Sequence, residues 1–276
     1  MNLNKDNRIP ELEALIKKAG AAIMEIYNQD DRGISYKDDE SPLTQADQAA
    51  HEIILNGISE MDPRFGFIGE ENKNASFDER TQKEYNWMVD PLDGTKEFIS
   101  KNGEFTVNIA LLHHQRPVLG FVYIPATQEL YWAAHEQGAW CMGPTDEEPT
   151  RLQAPSFSWG NEGLRVLCSR SHLNEKTELF LTHLQQPQKI AAGSALKFLR
   201  IAEGKAEIYP RLAPTMEWDT AAAEIVLIES GGQMLQWPGL KPMKYNKEDL
   251  LNPSFIAFGA NKNTPSLNSI RDEIEG

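Results

Sequence analysis

Cysteine is almost absent from this chain: Cys141 and Cys168 are its only two, and no CxxC pair occurs. That excludes a disulfide framework and a thiolate zinc site as organising devices, and it fits a reducing compartment. Positive charge is also scarce. Lys and Arg number 27 against 41 Asp and Glu, a net charge of −14. Such a chain has no general field to attract a nucleic acid polymer or an anionic membrane. No run approaches the about 18 consecutive apolar residues of an integral membrane segment. The opening MNLNKDNRIPELEAL lacks the apolar stretch and small-residue cleavage site of an export signal. The expectation is a cytoplasmic protein. Repeats and low-complexity tracts are missing too. What is there suits a globular core: 40% apolar residues, with six Trp and eleven Phe.

The pattern of apolar residues sketches the elements. Leu12, Leu15, Ile16, Ala19, Ile23 and Ile26 recur at helical spacing over 10–27. A short strand over 34–37 and an acidic turn precede a second helix, with Thr44 as its expected cap. Strands are predicted at 65–68 and 86–89, the first running into Gly69-Glu70-Glu71 and the second ending at Asp90. Pro91 is expected to stop the latter. Segments 104–112, 118–123 and 129–133 follow at short intervals, which predicts an antiparallel meander. Phe105, Val107, Ile109 and Leu111 alternate as a half-buried strand would. A stretch rich in Pro, Gly, Ser and acids over 143–163 marks a lobe boundary, giving lobes of 1–150 and 151–276. The second lobe alternates strands (165–168, 206–209, 233–236, 255–258) with helices (175–184, 196–202, 219–229). The fold class is α/β: an α+β first lobe with an antiparallel sheet, then an α/β lobe.

Chemistry concentrates in W-M-V-D-P-L-D-G-T at 87–95. A tight turn there aims Asp90 and Asp93 at one point. Gly94 and Thr95 open a short helix whose free amides point back at the turn. Carboxylates prefer a cation and such amides prefer an anion, so the turn suits a metal ion beside a phosphate. A plain strand-to-helix turn with Asp caps is the alternative. Glu70, at the end of a neighbouring strand, and Asp219, ahead of an Ala-rich helix, are further candidates. Four such acids in one cleft need cations. Oxygen ligands without His or Cys point to Mg²⁺, with Mn²⁺ as a substitute.

These segments resemble the lithium-sensitive, metal-dependent phosphatases of the inositol monophosphatase superfamily. Glu70 after a strand, D-P-L-D-G-T at 90–95, Trp218-Asp219 and Gly231-Gly232 occur in that family's order. S-P-L-T-Q-A-D at 41–47, N-G-E-F-T-V-N-I-A-L at 102–111, G-S-A-L-K-F at 193–198 and A-E-G-K-A-E-I-Y-P-R at 202–211 are most similar to its bisphosphate nucleotidase branch. The resemblance implies a layered αβαβα sandwich and two or three Mg²⁺ ions. It implies Glu70, Asp90, Asp93 and Asp219 as side-chain ligands, with Asp90 bridging, and the Leu92 carbonyl as a further ligand. Asp47 and Thr95, with Glu70, would handle the attacking water. Gly94, Thr95, Ser169, His172, Gly193, Lys197 and Asp219 would contact a small phosphorylated nucleotide, with Arg211 assisting.

The activity so implied is hydrolysis of the 3′-phosphate of adenosine 3′,5′-bisphosphate to AMP, with its sulfated relative as a second substrate. Two readings compete: an inositol or sugar monophosphatase, and a non-catalytic metal-binding regulator. Lys197 on a solvated helix face and His172 as a helix cap are the plain alternatives for those residues. His113-His114 reads as a solvent-facing turn and Cys168 as a buried structural thiol. No interface is legible, so the oligomeric state stays open, and the acidic 144–150 segment matches nothing.

Overall fold

The computed structural model describes residues 8–29, 42–70, 75–169, 174–261 and 265–275. Two long helices, α1 (Arg8–Tyr27) and α2 (Pro42–Met61), pack against each other. α1 buries Leu12, Ile16, Ala19 and Ile23, a single stripe at helical spacing. A seven-stranded sheet follows. Its strands are β1 (Gly66–Gly69), β2 (Tyr85–Asp93), β3 (Thr106–His113), β4 (Arg116–Ile124), β5 (Glu129–Ala134), β6 (Ala139–Met142) and β7 (Thr150–Arg151), in that spatial order. Short helices α3 (Phe77–Thr81) and α4 (Thr95–Ile99) flank β2. β1 and β2 are parallel, and every later neighbour is antiparallel. The expected meander is present and longer at both ends.

A five-stranded sheet is built from β9 (Arg165–Cys168), β10 (Gln188–Ala191), β11 (Ile208–Arg211), β12 (Gln233–Gln236) and β13 (Phe255–Phe258), in the order β10-β9-β11-β13-β12. Its helices are α5 (Glu175–Thr182), α6 (Leu196–Ala202), α7 (Ala221–Glu229) and α8 (Pro265–Glu275). β8 (Ser156–Phe157) and β14 (Ala260–Asn261) form a small parallel pair.

Side-chain parity separates the layers. Trp87, Val89, Ile109, Leu111 and Phe121 join the buried faces of α1 and α2. Their neighbours Met88, Ala110, Leu112 and Val122 point the other way and pack with α6 and α7, in a cluster that continues into Tyr209, Phe255 and Ala257 of the second sheet. The far face of that sheet, Val166, Ile208, Ile256 and Phe258, meets Phe180 of α5 and Leu267 of α8. The layers are therefore α, β, α, β, α, as the sandwich requires. At Gly120 on β4 the helix α7 lies so close that an added Cβ would stand 2.5 Å from the Ala222 carbonyl. No helix among the described residues is long and apolar enough to cross a membrane.

Several local expectations need correction. β3 is buried on both faces, not one, because α7 covers the side opposite α1 and α2. α2 begins at Pro42, so Thr44 lies inside the first turn and does not cap it; proline's fixed φ and missing N–H suit that first position. β2 does not stop at Pro91 but runs on to Asp93. The strand and turn expected over 34–41 lie outside the described residues.

Candidate active site

The run through Pro91 arranges the acids. Asp90 pairs with Asn108 and Asp93 with Thr106, so three steps along β2 match two along β3. One residue is extra, which is a β-bulge. In a regular strand, residues three apart face opposite ways. The extra residue reverses that parity, and Asp90 and Asp93 share a face. It is the face of Met88 and Ala110, turned toward α7. Ile68 on β1 belongs to it as well, so Glu70, two residues on, has the same parity. A proline is tolerated here because a bulge leaves ladder positions unpaired.

Asp90 is 2% exposed, and its Oδ1 accepts the Leu92 N–H at 3.0 Å. Burial raises its carboxyl well above the ordinary range, and Asp93, Asp219, Glu70 and Asp47 add like-charge repulsion in that order. Four acids from four separate segments thus converge on a fifth. Asp219, held by the Met216 N–H at 2.9 Å, is pushed up to about 7 by burial and then by Asp93. Asp93 accepts from the Ser194 hydroxyl and, at 3.5 Å, from Thr106, while the two hydroxyls lie 2.6 Å apart. The donor set is carboxylate, hydroxyl and carbonyl oxygen, which fits a hard divalent cation. Buried like charges of this kind persist only when protonated or neutralised by a cation. Among the described residues no three His, Cys, Asp or Glu side chains are already drawn around one point.

Gly94 adopts φ +100°, and a Cβ there would stand 3.2 Å from the Phe105 Cα, so the turn into α4 requires glycine. Thr95 is the exposed first residue of α4. α4 is a single turn, so its amides count individually and not as a macrodipole.

A cleft of about 250 Å³ adjoins the acids, lined by Asp93, Gly94, Ser169, Lys197, Arg211 and Asp219 among others. Lys197 is not a solvated lysine. It is 7% exposed, donates to the Ser194 carbonyl at 2.7 Å and the Ala192 carbonyl at 3.3 Å, and lies 5.3 Å from the Tyr209 ring centroid. Burial lowers it to about 8. Arg211 donates to the Pro214 carbonyl at 3.1 Å, and its buried Nε has no partner among the described residues. Gly193 is buried and gives its N–H to Glu104 at 2.8 Å. His172 lies outside the described residues.

Sequence reasoning missed Ser194, Thr106 and Glu104 as supports of the site. Ser194 stood inside the quoted G-S-A-L-K-F segment, and its partner is 101 positions away. Only the register of β2 and β3 shows that Thr106 faces Asp93.

Comparison with known proteins bears on the family and the fold. The inositol monophosphatase family matches residues 4–275. The 3′(2′),5′-bisphosphate nucleotidase CysQ of Salmonella typhimurium is 41% identical over 246 residues, covering 87% of this chain and 95% of the relative. The protein of that name from Haemophilus influenzae is 31% identical over 245 residues, covering 88% and 89%. Among solved structures, CysQ from Bacteroides thetaiotaomicron, described as a bacterial member of the inositol monophosphatase family, superposes with TM-score 0.83 at 38% identity over 94% of this chain and 99% of that one. Members of the family are metal-dependent phosphatases. On a family match over residues 4–275 and a relative of 38% identity whose fold superposes on 94% of this chain, the protein belongs to the inositol monophosphatase family.

Proposed function

We propose that this protein hydrolyses the 3′-phosphate of adenosine 3′,5′-bisphosphate to AMP and phosphate, with the sulfated relative as a second substrate. One observation carries the reading: the acidic cluster that ends in Asp219 opens onto a cleft whose lining includes Lys197 and Arg211. A substrate with two separated phosphates needs such a pair of regions, and an inositol monophosphate needs only the first. The names of relatives at 41% and 38% identity support it.

Glu70, Asp90, Asp93 and Asp219 would hold Mg²⁺ by their side chains and Leu92 by its carbonyl, two or three ions in all, with Mn²⁺ as a substitute. When bound, Mg²⁺ lowers the pKa of water and offsets charge on phosphoryl oxygens. The protein's own groups do the rest. Asp47, whose charge acts on Asp90, accepts the proton of the attacking water through the Thr95 hydroxyl. Water forms the new P–O bond in line, and the ribose 3′-oxygen leaves and is protonated from solvent. Glu70 orients the water, and the Gly94 and Thr95 amides hold the non-bridging oxygens. Ser194 and Thr106 fix the Asp93 carboxylate through its Oδ2. Lys197 and Arg211, both in the lining of the cleft, supply positive charge for the 5′-phosphate. Ser169, Gly193 and His172 shape the nucleotide wall. In this reading 1–150 is the metal-holding lobe and 151–276 the substrate-reading lobe, working in the cytoplasm on a free nucleotide.

The test is phosphate release with Mg²⁺ from adenosine 3′,5′-bisphosphate, inositol 1-phosphate and fructose 1,6-bisphosphate side by side. The nucleotide should have the highest kcat/KM. Preference for inositol phosphate would overturn the substrate, and Mg²⁺-independent release would overturn the centre.

A further inference from the structure

A second cleft, of about 760 Å³, lies between the β3–β4 turn, the turn after β5, α7 and β12. Its volume is in the range that encloses a small organic ligand. It shares no lining residue with the catalytic cleft, although both draw on the same stretch of chain: Asp219 and Thr220 border the first, Glu224 and Ile228 of α7 the second. Val118, Ile225, Met234 and Leu235 make its walls apolar.

One wall group is out of keeping with the rest. Glu224 is 4% exposed, and the Tyr245 hydroxyl donates to its carboxyl, yet its Oε2 is buried with no partner among the described residues. A buried polar atom left unpaired is costly, and a native structure keeps one for a reason. Burial pushes this acid up to about 7. Near neutral pH both of its forms are present, one able to accept hydrogen bonds and the other able to donate one as well. The rim has the opposite character. Arg116 is exposed, with one nitrogen on the Met243 carbonyl at 3.0 Å. The His113 and His114 rings lie 4.4 Å apart beside it, and His135 pairs with Glu229 at 3.5 Å.

We infer that this cleft binds a mononucleotide whose base carries an exocyclic amine, with the base edge on Glu224 and the phosphate at Arg116 and the rim histidines. Apolar walls suit a flat ring. An amino-heterocycle presents an N–H donor beside a ring-nitrogen acceptor, the pattern that a carboxylic acid or a carboxamide side chain can match with two bonds. A guanidinium suits the phosphate. A purely aliphatic ligand would leave Oε2 unpaired, and an inorganic anion would leave the walls wet. The inference does not depend on the catalytic reading.

The test uses the full chain with labelled isoleucine methyl groups. Ile225 and Ile228, assigned through Ile→Val variants, report this cleft and not the acidic one. Titration with AMP should shift both signals saturably, and IMP, which has a carbonyl in place of the amine, should bind at least roughly tenfold more weakly. Glu224→Gln should keep AMP binding, since an amide both donates and accepts. Glu224→Leu should weaken it by at least the same factor. Ile228→Trp, at a site 41% exposed, should block the mouth without disturbing the core. Unmoved methyl signals at millimolar AMP, equal affinity for AMP and IMP, or shifts that survive Ile228→Trp would overturn the proposal. So would a dimer in sedimentation that Ile228→Arg splits, because the cleft would then face a second copy of the chain.

Discussion

Burial and then four acidic neighbours all raise the Asp90 carboxyl well above the ordinary range. Asp90→Asn keeps the shape and removes the repulsion. We expect the variant to fold, to melt at or above the wild-type temperature without metal, and to lose at least about 10³-fold in kcat. Circular dichroism with phosphate release checks this; wild-type turnover would dismiss the acidic centre. Lys197 is the second residue on which the proposed function can be tested. It is charged below about 8 and neutral above. A phosphate substrate is fully ionised across that range, so kcat/KM for the bisphosphate should fall as pH rises through about 8 in the free enzyme. The same profile for 3′-AMP, which lacks the 5′-phosphate, should lack that limb. Lys197→Ala should raise KM for the bisphosphate about tenfold or more and leave KM for 3′-AMP within about threefold. Equal limbs on both substrates would remove the lysine from the second-phosphate region.

At the scale of elements, the proposed centre makes catalysis sensitive to how α7 is seated. Gly120 lets it lie directly on β4, and Ala222 and Ile225 occupy the space a side chain would take. Asp219 sits just ahead of that helix, so its position follows the seat. Gly120→Val should cost about 1–3 kcal/mol of stability. It should also lower kcat by more than an order of magnitude through misplacement of Asp219, although residue 120 is not among those that converge on Asp90. Denaturant unfolding with kinetics on the same preparation measures both; normal kcat in a destabilised protein would uncouple seat and site. The seat also marks where sequence reading ends. The stripe of α1 was legible because a helical period leaves a one-dimensional trace; β3 was legible as a strand, but its second buried face was not. D-P-L-D-G-T was legible as a composition. The bulge was not, since whether Pro91 ends β2 or rides within it depends on β3 offering Asn108 and Thr106 in shifted register. The burial of Lys197 was equally hidden, because its partners are the carbonyls of Ala192 and Ser194 and the ring of Tyr209, and a carbonyl carries no residue-type signal. Only tertiary packing tells that lysine from a solvated one.

For the whole molecule, the buried acids give an expectation for the pH and metal dependence of stability. Asp219 is raised to about 7 and Asp90 is raised too, both chiefly by burial and then by neighbouring acids. Glu224 is raised to about 7 by burial alone. In an unfolded chain such carboxyls titrate near 4. A carboxyl whose folded pKa is raised contributes stability that is complete below about pH 4 and lost as pH rises through the folded value. The metal-free protein should therefore be more stable at pH 5 than at pH 8. Acids with lowered values, such as Glu203, which Arg200 holds down against its own burial, titrate below that window and do not reverse the trend. A cation bound by the cluster favours the ionised form and should restore stability mainly at pH 8. The gain follows RT ln(1 + [Mg²⁺]/Kd), about 2.7 kcal/mol at a hundred times Kd. Melting curves in EDTA and in Mg²⁺ at pH 5 and pH 8 make the comparison. We expect a falling melting temperature in EDTA and recovery by Mg²⁺ at pH 8; Asp90→Asn should lose most of the Mg²⁺ recovery and keep the part of the pH trend that Asp219 and Glu224 carry. Because the readout is unfolding and not turnover, it isolates cation binding from everything downstream. A metal-free protein that is as stable at pH 8 as at pH 5, and indifferent to Mg²⁺, would mean these carboxylates do not share a site.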